Sequence, residues 1–166
     1  MSERLGAVAV RAERRLRTPA QFAAVAAARG ARALRGARRW LAVNCWVADA
    51  GTVPNAAPAR LGLVMPKRHA RRAIDRNLIK RVVREAMRAA VPVLDAAAAA
   101  VRLDGGQDAG SVAGARLDIV VRLKAPLPPV ADLPRAQLKS ALRVEADTLL
   151  AGLVRDLRPA AEGRRP

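Results

Sequence analysis

The spacing of apolar and polar residues divides this chain into short helical and strand-like stretches joined by turn-rich loops. Residues 18–28 (TPAQFAAVAAA) read as a short helix, with Thr18 at the N-cap, Pro19 in the first turn, and Phe22 and Val25 on one side. Residues 40–48 (WLAVNCWVA) are rich in apolar and β-branched side chains and predict a strand; the imperfect alternation implies cover on one or both faces. After the turn-rich residues 49–59 (DAGTVPNAAPA), residues 60–65 (RLGLVM) predict a second strand, expected to run antiparallel to the first across so short a connection. Residues 117–123 (LDIVVRL) predict a third strand, and Pro126, Pro128 and Pro129 bar regular structure just beyond it. Leu138, Leu142, Glu145, Leu149 and Leu150 mark a long amphipathic helix starting at 132 or 133 and ending near 153. The basic loop 32–39 has room for one more short strand.

Between the second and third strands lies the most distinctive pattern. Residues 67–88 (KRHARRAIDRNLIKRVVREAMR) hold nine Lys or Arg against only Asp75 and Glu85. At about 100° per residue, Ile74, Leu78, Val82 and Ala86 climb one side of a helix, widened by Ile79, Val83 and Met87. Arg76, Asn77, Lys80, Arg81, Arg84 and Arg88 fall on the remaining arc of roughly 140°. Asp75 stands near the start, where a carboxylate suits the helix dipole. The plain alternative is a solvated charged face. Such a face normally mixes signs, and this one is almost all positive, so it repels itself unless a polyanion covers it. Pro92 favours an end to the helix near Ala90.

The ends and one internal stretch carry little pattern. Residues 1–17 read as a basic flexible arm, 18–154 as the single domain and 155–166 as a basic flexible tail. An alanine run followed by LDGGQDAGSVAGA reads as a low-complexity insertion around 95–115 without fixed structure.

Composition sharpens the choice of partner. The chain has 166 residues, enough for one domain with a real core. Its net charge of +17, from 31 basic and 14 acidic residues, calls for an anionic partner, with nucleic acid ahead of a membrane surface. No apolar run reaches a bilayer span, and the first ten residues lack the layout of a signal peptide. The lone Cys45 excludes an internal disulfide, suits a reducing compartment and reads as an inert small hydrophobe.

Candidate catalytic chemistry is sparse. There is no glycine-rich phosphate loop, and one His with one Cys cannot build a zinc site of the usual kind. His69, set among arginines, reads as a surface or phosphate contact. Asp104 and Asp108 lie in the insertion, where nothing would position a metal. The catalytic assignment is therefore none, and the metal assignment none.

The segment PKRHARRAIDRNLIKRVVREAMR resembles the signature of the bacterial ribonuclease P protein component: a strand ending in two basic residues, then a helix with Arg-Asn, Lys-Arg and Arg-Glu at two-residue intervals. Here these are Lys67, Arg68, Arg76, Asn77, Lys80, Arg81, Arg84 and Glu85, and Arg71 and Arg72 match a common variant. The flanks agree over roughly residues 14–153. The resemblance implies an α+β fold: a single-domain α-β sandwich like the second domain of ribosomal protein S5. Its small, mostly antiparallel sheet would carry a left-handed β-α-β crossover through the basic helix. It also implies the job of a ribonuclease P subunit that is cytoplasmic and monomeric when alone, with no membrane partner. The catalytic RNA, with its Mg²⁺, would hydrolyse the phosphodiester and remove the 5′ leader of precursor tRNA; the protein would bind that RNA and the leader. RNA-binding residues would be Lys67, Arg68, Arg71, Arg72, Arg76, Asn77, Lys80, Arg81, Arg84 and Arg88, with Asn77 alternatively a cap or a bond to a neighbouring strand. A leader cleft would involve Phe22, Trp40 and Val43.

Departures from the family pattern stand beside the agreement. Leu78 occupies a position where the family usually has Arg and is expected in the core. Ala26 and Val43 stand where the family commonly places aromatics, so base stacking rests on Phe22, which reads equally well as a core residue. Trp40 and Trp46 suit packing or a base platform. A structural RNA-binding or chromatin-type protein is the competing function, and a stand-alone nuclease the third.

Overall fold

Among the described residues, apart from two short 3-10 turns, the elements follow in the order α1 (Pro19–Ala27), β1 (Ala33–Ala37), β2 (Leu41–Asp49), β3 (Ala59–Val64), α2 (Ala73–Ala100), β4 (Ala115–Leu123) and α3 (Arg135–Ala161). They come from a computed structural model that describes residues 12–49, 58–101 and 115–161. The four strands form one sheet in the order β1-β2-β4-β3. The β1/β2 and β2/β4 pairs are antiparallel and β3/β4 is parallel, so α2 is a crossover between parallel neighbours. The fold is α+β.

Strand alternation sorts the side chains into two layers. Leu41, Val43, Cys45 and Val47 of β2 face the same way as Leu117, Ile119, Val121 and Leu123 of β4, and meet Ile79, Val83 and Met87 of α2 and Leu142, Leu150 and Leu153 of α3 in the main core. The other face holds a second, smaller cluster: Leu16, Val25 and Val120, with Phe22, Trp46 and Val64 packed against it. α1 thus lies on the side of the sheet opposite α2 and α3. Thr18 caps α1 as its sequence predicts, in a capping box with Gln21.

Two polar ties hold these layers in register. The Glu145 carboxylate accepts the backbone amides of Trp40 (3.1 Å) and Leu41 (3.0 Å), fastening α3 to the start of β2. Asp118, 1% exposed, accepts both ends of the Arg60 fork at 2.7 and 2.8 Å and weaker bonds from Arg116. A buried carboxylate is tolerated only with such partners, and removing one typically costs about 3–5 kcal/mol.

Several expectations need correction. β3 runs antiparallel to β2 in direction but does not pair with it, because β4 lies between them. A short connection constrains direction more than adjacency. α2 continues through Pro92 to Ala100 instead of ending near Ala90. Pro92 is exposed, and burial of Met87, Leu94 and Ala98 on either side offsets its lost hydrogen bond and ring clash, about 3 kcal/mol. Residues 95–101 therefore belong to the helix and core; 102–114, the rest of the expected insertion, lie outside the described residues. The supposed arm is fixed over 14–16: Leu16 is buried, Arg15 bridges to Leu61 beside β3, and Arg14 forks Asp95 at 2.8 and 3.0 Å. Residues 1–11 fall outside the description. α3 carries on past 155, where the tail was expected to begin.

Candidate nucleic-acid interface

The cationic side of α2 is set by where the helix meets the sheet. Ile79, Val82, Val83, Ala86 and Met87 are each at most 1% exposed, whereas Ile74 is 54% exposed. The buried arc is thus centred on the line through Asp75, Ile79 and Val83, turned away from the Ile74–Leu78–Val82 line that the sequence favours. Asp75 takes the inward position in the first turn by pairing with Arg135 at 3.3 Å. Leu78 is half-buried and packs on the core edge, as its apolar character predicts.

This rotation separates Arg76 from the other cations. On a 100° wheel Arg76 falls about 60° from Ile79, inside the buried margin. Its Nη1 donates to the carbonyls of Ala70 (2.9 Å) and Arg71 (2.7 Å), clasping the loop that precedes the helix. The expected outward-pointing Arg76 is thus corrected: it is a brace. Asn77, Lys80, Arg81, Arg84 and Arg88 occupy roughly 100° of arc on the far side. Asn77, Arg81 and Arg88 are exposed, and Lys80 and Arg84 are half-buried. Among the described residues, no carboxylate stands within ion-pair distance of these four cations, and Asn77 makes neither the cap nor the strand hydrogen bond open to it.

The loop from β3 to α2 extends the same charge. Lys67 and Arg68 form a turn beyond Pro66, and Lys67, Arg68, Arg71 and Arg72 are all exposed. Arg68 Nε donates to His69 Nε2 at 3.2 Å, while the His69 carbonyl accepts the Leu127 amide at 3.1 Å and anchors the turn. Arg72 is the N-cap residue and makes no side-chain cap bond. Cations at the positive end of a helix dipole are unfavourable by a few tenths of a kcal/mol to ~1 kcal/mol each unless an anion joins them.

The three residues expected to line one cleft do not share a surface. Val43 (1% exposed) and Trp40 (6%) lie in the helix-side core, and Arg39 stacks over the Trp40 ring at 4.6 Å. They are corrected to packing residues: Val43 because odd-numbered positions of β2 face α2 and α3, and Trp40, just before the strand, because its side chain is buried in the same core cluster. Phe22 is on the other face, half-buried, over Gly62: a Cβ at Gly62 would stand 2.5 Å from Phe22 Cε1. The open sheet beside Phe22 carries Ala42, Asn44 and Arg122, with Asn44 opposite Val120 and Ala42 opposite Arg122. Sequence reasoning passed over Asn44 and Arg122. Parity was the available signal: positions 42, 44 and 46 oppose 43 and 45, which the apolar pattern already places inward.

Cys45 lies at 1% exposure in the main core. Burial, and then the charge of Asp118, push its thiol up to about 12. Among the described residues, no three His, Cys, Asp or Glu side chains gather into a metal-sized cluster, and no helix is long and apolar enough to cross a membrane.

A family model described as Ribonuclease P matches residues 10–146, which takes in every strand, the whole of α2 and the first part of α3. The chain belongs to the ribonuclease P protein family. It is 47% identical over 93 residues to the ribonuclease P protein component of Bordetella parapertussis, covering 55% of this chain and 71% of that relative. It is 36% identical over 145 residues to the Bordetella avium protein of the same name, covering 87% and 94%. A shorter match, 50% over 46 residues, joins it to the protein component of Ralstonia pickettii, covering 28% and 33%. No solved structure gives a significant match. Within the ribonuclease P signature, the geometry divides the basic residues into an outward set and one inward brace, Arg76.

Proposed function

We propose that this chain is the protein subunit of ribonuclease P and binds the catalytic RNA through α2 and the turn before it. The observation that carries this reading is the arc of Lys80, Arg81, Arg84 and Arg88, which no carboxylate neutralises among the described residues, in a chain of that family. Arginine forks hold two phosphate oxygens at once, and each neutralised phosphate releases counterions. Lys67, Arg68, Arg71 and Arg72 continue the contact and supply the helix end with cations that an RNA phosphate would stabilise. Arg76 holds the turn in shape, and Asn77 offers a neutral donor and acceptor to a base edge or sugar.

The 5′ leader of precursor tRNA lies across the open sheet face, with Phe22 as the aromatic wall and Asn44 and Arg122 on the floor. Stacking on Phe22 contributes about 1–3 kcal/mol per base. Mg²⁺ is held mainly by the RNA, which carries out the hydrolysis. The protein works in the cytoplasm and is monomeric before assembly.

The test is cleavage of precursor tRNA at low Mg²⁺ by the protein alone, by a bacterial ribonuclease P RNA alone, and by both. Efficient 5′ maturation only in the combined reaction is the expected result. Cleavage by the protein alone would make it a nuclease in its own right, and no gain from adding it would leave a plain RNA binder.

A further inference from the structure

β1 is the outer strand on the margin opposite β3, and it pairs with β2 alone. The Arg38 amide donates to the Leu41 carbonyl at 2.8 Å, which makes these two a hydrogen-bonded pair. The two-residue alternation of an antiparallel ladder then turns the peptide groups of Arg35 and Ala37 away from β2. They border a groove of about 280 Å³ between β1 and the C-terminal half of α3, whose lining includes Arg35, Ala37, Arg38, Thr148, Gly152 and Arg155. Two glycines shape it. A Cβ at Gly36 would stand 3.1 Å from Leu149 Cδ2, so the strand sits close on the helix. A Cβ at Gly152 would meet nothing nearer than Arg155 Nη2 at 3.8 Å, so the groove stays open there.

The charge around this groove is mostly positive: Arg35, Arg38 and Arg155 line it against a single carboxylate, Asp156. Residues 29–39 contain five arginines and no Asp or Glu. Arg29 and Arg35 use donors on carbonyls at the end of α1, Ala26 and Ala28. Arg32 meets Asp49 at 3.5 Å and Arg155 meets Asp156 at 3.3 Å, both between exposed side chains. Arg38 is exposed and has no side-chain partner among the described residues. One or two charges suffice to keep a sheet edge from pairing with another sheet. A second copy of this chain would bring two such arginine rows together, which disfavours self-association.

We propose that this groove binds the phosphodiester backbone of an RNA segment distinct from the one α2 meets, so that the protein bridges two RNA segments across its sheet. The outward amides of Arg35 and Ala37, about 6.8 Å apart along the strand, donate to successive phosphates. Arg38 and Arg155 neutralise them from the rim. The inference rests on the reading that the partner is an RNA, and the experiment separates the two.

The experiment measures affinity for a bacterial ribonuclease P RNA as a function of salt for three full-length proteins: unchanged, Arg38→Ala/Arg155→Ala, and Arg81→Ala/Arg84→Ala. For the groove variant the slope of log K against log[salt] is expected to flatten by roughly one to two, with a loss of about tenfold in affinity. In parallel, Arg38→Cys and Arg81→Cys carry a tethered iron chelate for hydroxyl-radical mapping; the buried Cys45 leaves the introduced thiol as the reactive one. Radical cuts from position 38 are expected in an RNA segment separate from those cut from position 81. If the α2 variant loses affinity while the groove variant keeps both affinity and slope, or if position 38 produces no cuts, the second RNA surface does not exist. If neither variant loses affinity, the RNA reading itself fails.

Discussion

Gly62 is the residue on which the open face turns. It brings β3 so close to α1 that a methyl group there would lie 2.5 and 2.8 Å from Phe22 Cε1 and Cζ and 3.1 Å from Leu16 Cδ1. Gly62→Ala is expected to destabilise the fold by about 1–3 kcal/mol through overpacking. In a Phe22→Leu background the same change should cost distinctly less, because the shorter side chain vacates that space; urea unfolding of the four proteins of this cycle measures the difference. Equal costs in both backgrounds would show that Phe22 does not press on Gly62. At this scale the sequence is legible where a residue has one plausible partner. Thr18 and Gln21 sit where a capping box needs them, and Leu78 turns toward the core because it cannot do otherwise. It is illegible where the partner is distant in the chain. Nothing local in LDIVVRL shows that Asp118 is buried, because the closest fork on it, Arg60, comes from β3, 58 residues away in the chain.

At the scale of the element, α2 was readable in kind and misread in angle. Its apolar period placed one side against the core correctly, but Asp75 and Arg135, meeting across two helices, rotate the first turn so that Ile74 faces out and Arg76, half-buried, reaches back to the preceding loop. A wheel drawn from one helix cannot include a partner on another. The consequence is a division of labour among arginines that look alike in sequence. Arg81→Ala/Arg84→Ala is expected to weaken assembly with the RNA while changing stability by less than about 0.5 kcal/mol, or about 1–2 °C in melting temperature. Arg76→Ala is expected to cost about 1 kcal/mol of stability by stripping donors from the Ala70 and Arg71 carbonyls. Circular dichroism melts and filter-binding titrations on the same preparations distinguish the two classes. A destabilised Arg81/Arg84 variant, or a fully stable Arg76 variant, would reverse the assignment. The cleft residues Trp40 and Val43 failed for a related reason: family likeness supplied their positions, while the alternation of β2 sends Val43 to the opposite face and Trp40, just ahead of the strand, packs into the same core.

For the whole molecule the dominant quantity is +17 charges on 166 residues. Without RNA these charges repel one another, and the Debye length sets how far that repulsion reaches, about 30 Å at 0.01 M salt and 8 Å at 0.15 M. Raising salt over that range is expected to stabilise the free protein by about 1 kcal/mol, or roughly 2–4 °C. The same change weakens its hold on RNA. Differential scanning calorimetry of the free protein checks the first effect; a melting temperature that stays flat or falls would show that self-repulsion is already compensated within the fold.

The placement of β4 between β2 and β3 carries a consequence for synthesis. Translation delivers the two outer members of that trio first and the strand that unites them only after the arginine helix has left the ribosome. Until Ala115–Leu123 appears, β3 has no neighbour on its inner side and the inward flank of α2 has half a floor beneath it. The β1/β2 hairpin is local and needs nothing downstream, whereas the seating of β3 and α2 waits for β4. Any ribosome stall upstream of Ala115 strands a sticky, highly cationic fragment amid cellular RNA.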